Sequence, residues 1–313
     1  MTTTDDTRVA REPTVRPEPD EARRRVARRL LKSSTNRSYD PVIDFDFEAP
    51  LVEGKYFLPP RVVTLYGTPV WESMTEDQRI ELSRQEMANI LSVGIWFENL
   101  LNRALLNRLM RTDPAAATTH YSLTEMGDEC RHMTMFGKTI ERSGARAYTM
   151  RRWQRTVMHM LPLVMRGTLM WVITLVGEEL FDALQREIRS DPELQPMVAR
   201  VMQIHVTEEA RHIGFARDAI VRRGPVRSRF ETVVSANLHG LGAPIFRRLF
   251  TTPEMYRRAG FDDPAKTAMI ARSNPNFHES QVMSFEPLAT FLKKNGLMGP
   301  FAAWMWRRSG FLP

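Results

Sequence analysis

The fold is decided by two stretches of this sequence, Asp128-Glu-Cys-Arg-His132 and His205-Val-Thr-Glu-Glu-Ala-Arg-His212. Each stretch contains the pattern Glu-x-x-His, formed by Glu129/His132 and by Glu209/His212. Residues three apart on a helix lie on one face, about one turn from each other, so each pair can bind one metal ion or bridge two. One match alone is weak support, because so short a motif often arises by chance.

Two further glutamates show a repeated spacing. Glu98 lies in the apolar run 94–101, and Glu178 lies in the apolar run 173–181. The separation from Glu98 to Glu129 is the same as that from Glu178 to Glu209. Burying a carboxylate without a partner is costly, so a glutamate in an apolar helix usually has one, and often it is a metal. The chain therefore repeats one unit: a helix with a glutamate, a turn, and an antiparallel helix with Glu-x-x-His.

Two such helix pairs form a four-helix bundle, which predicts an all-α protein. Its interior would hold one glutamate from each of two helices and Glu-x-x-His from each of the other two, the ligand set of di-iron carboxylate proteins. Carboxylate oxygens and imidazole nitrogens suit two iron ions. In the competing interpretation the motifs form surface ion pairs with Arg131 and Arg211, which leaves the equal spacing unexplained.

His205 adds a third imidazole to this set. It precedes Glu209 by four positions and His212 by seven, and positions spaced in this way share one helix face. His205 can therefore reach the same pair of metals. From spacing alone, a histidine that hydrogen-bonds to a ligand or packs nearby is an equal alternative.

The remaining sequence predicts the limits of the domain and its helices. Residues 1–20 are polar and rich in proline, which predicts disorder, and residues 21–33 form a short basic helix. We expect a basic tail over residues 1–35 and a single domain over residues 36–313. Helices are predicted at about 75–110, 116–143, 149–161, 166–189, 192–223 and 226–250, with shorter helices over 253–313.

Composition and charge narrow the classes of function. The net charge is +7, and the basic segment 23–32 contains no aromatic residue that could stack on a base, so we expect a solvated helix or tail and no nucleic-acid partner. The longest apolar stretch, 157–176, contains Pro162 and Arg166, so no membrane partner is expected. The first residues do not form a secretory signal, and the single cysteine fits a reducing compartment, so a cytoplasmic location is predicted.

These motifs resemble those of the AurF-like N-oxygenases, a family related to p-aminobenzoate N-oxygenase. The family has a ferritin-like four-helix bundle core with additional helices. Its metal ligands are Glu, Glu-x-x-His, Glu, and His-x-x-x-Glu-x-x-His. The resemblance covers residues 75–220 and implies these metal ligands: Glu98, Glu129, His132, Glu178, His205, Glu209 and His212.

The resemblance also implies an activity. Two iron ions per chain would reduce dioxygen to a bridging peroxide, which oxygenates the nitrogen of an amine, typically an aryl amine, to hydroxylamine, nitroso and nitro products. The implied partners are the amine, dioxygen and an external electron donor, and the family habit is a homodimer. No catalytic residue is predicted beyond the metal ligands, and the bridging glutamate is not identified.

Several alternatives stay open at this point. A di-iron hydroxylase, desaturase or oxidase would act on C–H bonds, a ferroxidase would store iron, and a basic helical protein would bind nucleic acid. Asp128, Glu208 or Glu125 could orient the histidines. Aromatic residues including Phe97, Trp171 and Phe181 could line an aryl pocket or belong to the core. A substrate carboxylate could meet one of three arginines, Arg84, Arg103 or Arg166.

Overall fold

The computed structural model describes residues 21–41 and 43–313, and within these ranges the protein is helical with no strand. One isolated bridge joins Tyr56 and Leu194. The α-helices are α1 (Glu21–Asn36), α2 (Pro69–Glu72), α3 (Glu76–Leu109), α4 (Ala117–Arg142), α5 (Arg152–Val164), α6 (Gly167–Ile188), α7 (Pro196–Arg223), α8 (Arg229–Asn237), α9 (Gly242–Phe250), α10 (Pro253–Arg258), α11 (Pro264–Arg272), α12 (Pro275–Lys294) and α13 (Pro300–Arg308). The all-α prediction is confirmed.

Four long helices form the core bundle. Helix α3 packs along α4, α6 packs along α7, and the two pairs meet where α4 contacts α7 and α3 contacts α6. Helix α3 begins where the sequence predicts: the Thr75 hydroxyl accepts from the Gln78 amide, and the Gln78 side chain accepts from the Thr75 amide at 2.9 Å. This reciprocal cap satisfies two amides that the first helical turn leaves without partners.

The segment predicted as one helix over residues 226–250 is divided, and that prediction was wrong in this respect. Helices α8 and α9 are separated by a 3-10 turn at Leu238–Leu241. A Cβ on Gly240 would lie 2.6 Å from the Ala302 backbone, and the His239 ring accepts a hydrogen bond from the Trp306 indole at 3.0 Å. The chain bends because α13 packs closely against this turn.

Helix α1 is basic and packs against α4 and α7 with one face. Arg23 is buried on that face, donates to Asp218 at 2.7 Å and stacks on the Phe215 ring. Four other cations lie exposed on the opposite face: Arg25, Arg28, Arg29 and Lys32. The prediction of a solvated basic helix therefore holds for one face of α1, while Arg23 attaches the other face to the bundle.

The helices that follow α9 cover the bundle from outside. Helix α12 packs on α6, α10 packs on α3, and α13 packs on α8 and α9. No helix among the described residues has the length and apolar character required to cross a lipid bilayer. The C-terminal helices thus pack on the outer surface of the core bundle.

Candidate metal centre

All seven predicted ligands lie buried at the centre of the bundle. Helix α3 supplies Glu98, α4 supplies Glu129 and His132, α6 supplies Glu178, and α7 supplies the other three. Their ligand atoms form two groups, each within 4.8 Å: Glu98, His132, His205 and Glu209 in the first, and Glu129, Glu178, Glu209 and His212 in the second. Glu209 belongs to both groups. The structure therefore brings the seven side chains together as two adjoining positions for a cation.

Glu129 and Glu209 lie between the two histidines of the repeated motifs. The Glu129 oxygens are 3.0 Å from His132 Nδ1 and 3.0 Å from His212 Nδ1. Glu209 Oε1 is 3.3 Å from His132 Nδ1 and 3.4 Å from His212 Nδ1. Both carboxylates, one from each Glu-x-x-His pattern, thus reach both halves of the cluster.

Each of these histidines is oriented by a carboxylate from the opposite helix. His132 Nε2 lies 2.9 Å from Glu208, and His212 Nε2 lies 3.2 Å from Asp128. Such an outer contact sets the tautomer and leaves Nδ1 facing the carboxylates of Glu129 and Glu209. Two of the three candidate orienting residues, Asp128 and Glu208, therefore lie against ligands, and both are buried.

His205 presents its other nitrogen to the cluster. Its Nδ1 lies 2.7 Å from the Gln185 side-chain oxygen, while its Nε2 is 3.3 Å from Glu98 and 3.4 Å from Glu209. Gln185 was not predicted from the sequence. It follows Glu178 by seven positions on the same face of α6, and a buried glutamine at that spacing is the signal that would have identified it.

The arginines that the competing interpretation paired with the motifs bind elsewhere. Arg211 donates to Asp128 at 3.0 Å and to the Arg37 carbonyl at 2.9 Å, and Arg131 also pairs with Asp128. Glu208 accepts from the Tyr39 amide at 3.1 Å. These contacts attach the segment after α1 to the outer side of the cluster, and among the described residues both arginines pair with Asp128 or Glu208, which are outside the set of predicted ligands.

The four buried carboxylates of the cluster repel one another unless cations or protons neutralise them. Burial, together with neighbouring carboxylates, raises the pKa of Glu98 and of Glu178 well above the usual range. Burial acts on Glu129 in the same direction, but His212 and other partners outweigh it and hold the pKa of Glu129 well below its usual range. Without cations, four carboxylates this close must share protons.

Several buried ligand atoms also have no hydrogen-bond partner in the described part of the chain: Glu98 Oε2, Glu129 Oε1, both oxygens of Glu178, both oxygens of Glu209, and His212 Nδ1. Buried polar atoms are rarely left unsatisfied. Carboxylate oxygens and imidazole nitrogens arranged around two positions are a donor set that fits two iron ions.

A small cavity, which we call the inner cavity, adjoins the cluster. It measures about 20 Å³, with Glu98, Glu178, His205 and Glu209 on one wall. Phe97 and Phe181, two of the aromatic residues expected near the ligands, form part of the other wall. Gly177 permits this arrangement, because a Cβ there would lie 3.1 Å from the Phe97 ring.

The three arginines considered for a substrate carboxylate do not line the inner cavity. Arg84 pairs with Glu81, and Arg103 donates to the carbonyls of Met158 and His159. Arg166 and Trp171 line a different cavity of about 510 Å³, which none of the seven predicted ligands lines. We place the chemistry at the smaller cavity, because there the candidate ligands meet open space.

The chain is similar to known proteins over most of its length. The family model described as p-aminobenzoate N-oxygenase AurF matches residues 20–296. Uncharacterized proteins of Mycobacterium tuberculosis and Mycobacterium bovis are 29% identical over 288 residues, which cover 89% of this chain and 84% of theirs. The family match includes all four bundle helices and the seven buried ligand candidates. The chain belongs to the AurF family of p-aminobenzoate N-oxygenases.

Proposed function

We propose that this protein is a di-iron oxygenase that uses dioxygen to oxygenate the nitrogen of an amine. One observation supports this most directly: seven buried side chains form two adjoining groups that share Glu209, and they are the residues that the resemblance to the family implies as metal ligands. The substrate we propose is an aryl amine, converted to hydroxylamine, nitroso or nitro products. An external electron donor and a homodimer complete the proposal.

The seven side chains would hold the two irons, which supply the redox chemistry that activates oxygen. Glu129 and Glu209 would help to hold both ions, because the carboxylate of each lies close to both His132 and His212. Glu98 would contribute a carboxylate to the first group and Glu178 to the second. His205 would give the first group a second imidazole.

The surrounding residues would hold the ligands in place and limit access of water. Asp128, Glu208 and Gln185 each accept a hydrogen bond from one histidine and thereby fix which nitrogen faces the iron. Phe97, Phe136 and Phe181 form the apolar side of the inner cavity. Water exclusion protects a reactive oxidant from side reactions.

The experiment is anaerobic reconstitution with Fe(II), followed by metal analysis and a single turnover with oxygen and a set of substrates. We expect about two irons per chain and an oxygenated product from an aryl amine. His205→Ala should lower iron content and product yield, while the matched control His120→Ala, on the exposed surface of α4, should change neither.

The outcomes separate the alternatives. Product from a fatty acyl or hydrocarbon substrate, with none from amines, would indicate C–H oxidation instead. Iron accumulation far above two per chain would indicate storage. Failure to bind iron, with strongly salt-dependent binding to DNA, would indicate a nucleic-acid-binding protein and would overturn the di-iron proposal.

A further inference from the structure

A second cavity lies directly behind the inner one. This outer cavity measures about 50 Å³ and lies between α3, α6 and α12. Ile90 and Phe181 line both cavities, so these two side chains are the partition between them. Phe250, Phe277 and Phe311 form much of the remaining wall of the outer cavity. The two cavities together form an apolar and aromatic path from the cluster to α12. The side chains of Ile90 and Phe181 divide this path.

The far end of this path carries two buried polar side chains. Gln281 is 5% exposed, and its Nε2 has no hydrogen-bond partner among the described residues. Glu86 is 2% exposed and accepts from the Thr64 amide at 3.1 Å. Its buried carboxyl also contacts the Thr64 hydroxyl, which lies 2.8 Å from the Tyr256 hydroxyl. The outer cavity thus offers a donor without a partner beside a carboxyl held by its own contacts.

The ionisable side chains along the two cavities include carboxyl groups but no lysine or arginine among the described residues. Carboxyl groups stand at both ends, with Glu86 at one and Glu98, Glu178 and Glu209 at the other. An anionic group buried here would lose its hydration and find no cationic side chain among the lining residues to compensate for that loss. A neutral hydrogen-bonding group has a partner in Gln281.

The size of the cavities sets a further condition. A buried apolar cavity of about 150 Å³ holds one benzene ring. The inner and outer cavities are smaller, at about 20 and 50 Å³. An aromatic ligand therefore requires the partition to move, and movement of the Phe181 ring would join the two spaces.

We infer that the substrate is an aromatic amine without a negative charge, which displaces Phe181 and spans both cavities. Its amine nitrogen faces the metal centre, and a neutral group at its far end hydrogen-bonds to Gln281 and Glu86. Aminobenzoates are excluded, although the family is described by p-aminobenzoate. This inference rests on the proposed function, because it places the nitrogen at the candidate metal centre.

The test compares p-aminobenzamide with p-aminobenzoate, which share the ring and the amine and differ in charge at pH 7. Binding is measured by calorimetry without oxygen, on metal-free protein and on protein loaded with Fe(II). We expect the amide to bind at least about tenfold more tightly than the carboxylate, a ratio that corresponds to about 1.4 kcal/mol.

Variants locate the preference in the outer cavity. Gln281→Leu should weaken amide binding and so reduce the preference over the carboxylate, because it removes the donor. Glu279→Gln, on the exposed side of the same helix as Gln281, is the matched control and should leave both affinities unchanged. Circular dichroism checks the fold of each variant.

The inference is overturned if p-aminobenzoate binds as tightly as the amide, if neither compound binds, or if folded Gln281→Leu retains the wild-type preference. These outcomes are separate from failure of the proposed function. Amide-selective binding without any oxygenated product would contradict the N-oxygenase proposal alone. Efficient N-oxygenation of p-aminobenzoate would contradict this inference alone.

Discussion

The helix pair α3–α4 and the helix pair α6–α7 contribute the same ligands at matching positions along the chain. Glu98, Glu129 and His132 each have a counterpart at one constant offset in the sequence, in Glu178, Glu209 and His212. The two carboxylates that orient the histidines have the same offset, since Asp128 corresponds to Glu208. Each pair orients the histidine of the other pair. The two pairs are therefore equivalent in these three predicted ligands and in the carboxylates that orient their histidines.

The pairs differ at a seventh predicted ligand and at the residue that holds it. His205 corresponds to Glu125, and Gln185, which holds His205, corresponds to Leu105. Glu125 is 1% exposed, and its Oε2 has no hydrogen-bond partner in the described chain. A leucine cannot orient an imidazole, whereas a glutamine can. Because of His205, which Gln185 holds, the first group of candidate ligands has two imidazoles, whereas the second has one.

The largest expected effect comes from removing the residue that belongs to both groups. Glu209→Ala should abolish binding of both irons, because Glu209 is the one residue that belongs to both groups of candidate ligands, so each group would lose a carboxylate. Metal analysis after anaerobic reconstitution measures this, with Glu279→Gln as a surface control. Retention of two irons per chain by Glu209→Ala would mean that the two positions do not depend on a common ligand.

A second prediction concerns Glu86, whose counterpart in the other pair is Arg166. Burial raises the pKa of Glu86 to about 8, although Thr64 opposes the shift. Between pH 4.5 and 8 the unfolded chain loses this proton while the folded protein retains it, so stability falls as pH rises through this window.

Glu86→Gln should remove that dependence. Each pKa unit corresponds to about 1.4 kcal/mol, so we expect the advantage of the variant over wild type in unfolding free energy to grow by a few kcal/mol from pH 5 to pH 9. Urea unfolding at the two pH values measures the gain. Parallel pH profiles for wild type and variant would show that Glu86 titrates normally in the folded protein.

Making the second pair resemble the first should weaken metal binding more moderately. Gln185→Leu places the residue of position 105 beside His205 and removes the contact that holds its Nδ1. Loss of such an outer contact typically lowers metal affinity about 10- to 100-fold. Competition with a chelator measures the change, and Gln203→Leu on α7 is the control. An unchanged affinity would indicate that His205 is positioned by packing alone.

The smallest and most specific effect comes from the reverse exchange. Glu125→His combined with Leu105→Gln copies the His205–Gln185 pair into α3 and α4. We expect nearly unchanged iron content but an additional nitrogen ligand, seen as extra ¹⁴N coupling in pulsed EPR of a mixed-valent sample. The single variant Leu105→Gln should lack the additional coupling. Its absence from the double variant would show that Glu125 does not occupy a position equivalent to that of His205.

The ligands could be predicted from the sequence because their arrangement is local. Glu209 and His212 share a helix face by spacing alone, and the apolar runs around Glu98 and Glu178 predict burial. The bend between α8 and α9 could not be predicted in this way, because it depends on the close packing of Gly240 against Ala302. The sequence keeps its helical periodicity through residues 226–250. The contact that interrupts the helix comes from α13, which lies about 60 residues later in the chain.

The sequence by itself determined the four bundle helices, the all-α class and the set of ligand candidates, since these follow from the spacing of residues within single helices. Only the tertiary structure decided that Asp128 reaches His212, that Glu208 reaches His132, and that Glu125 Oε2 has no hydrogen-bond partner in the described chain. It also placed Phe181 between two cavities that no cationic side chain lines within the described residues. The physical reason is that these contacts join different helices, so they depend on how the helices pack and not on periodicity within any one of them.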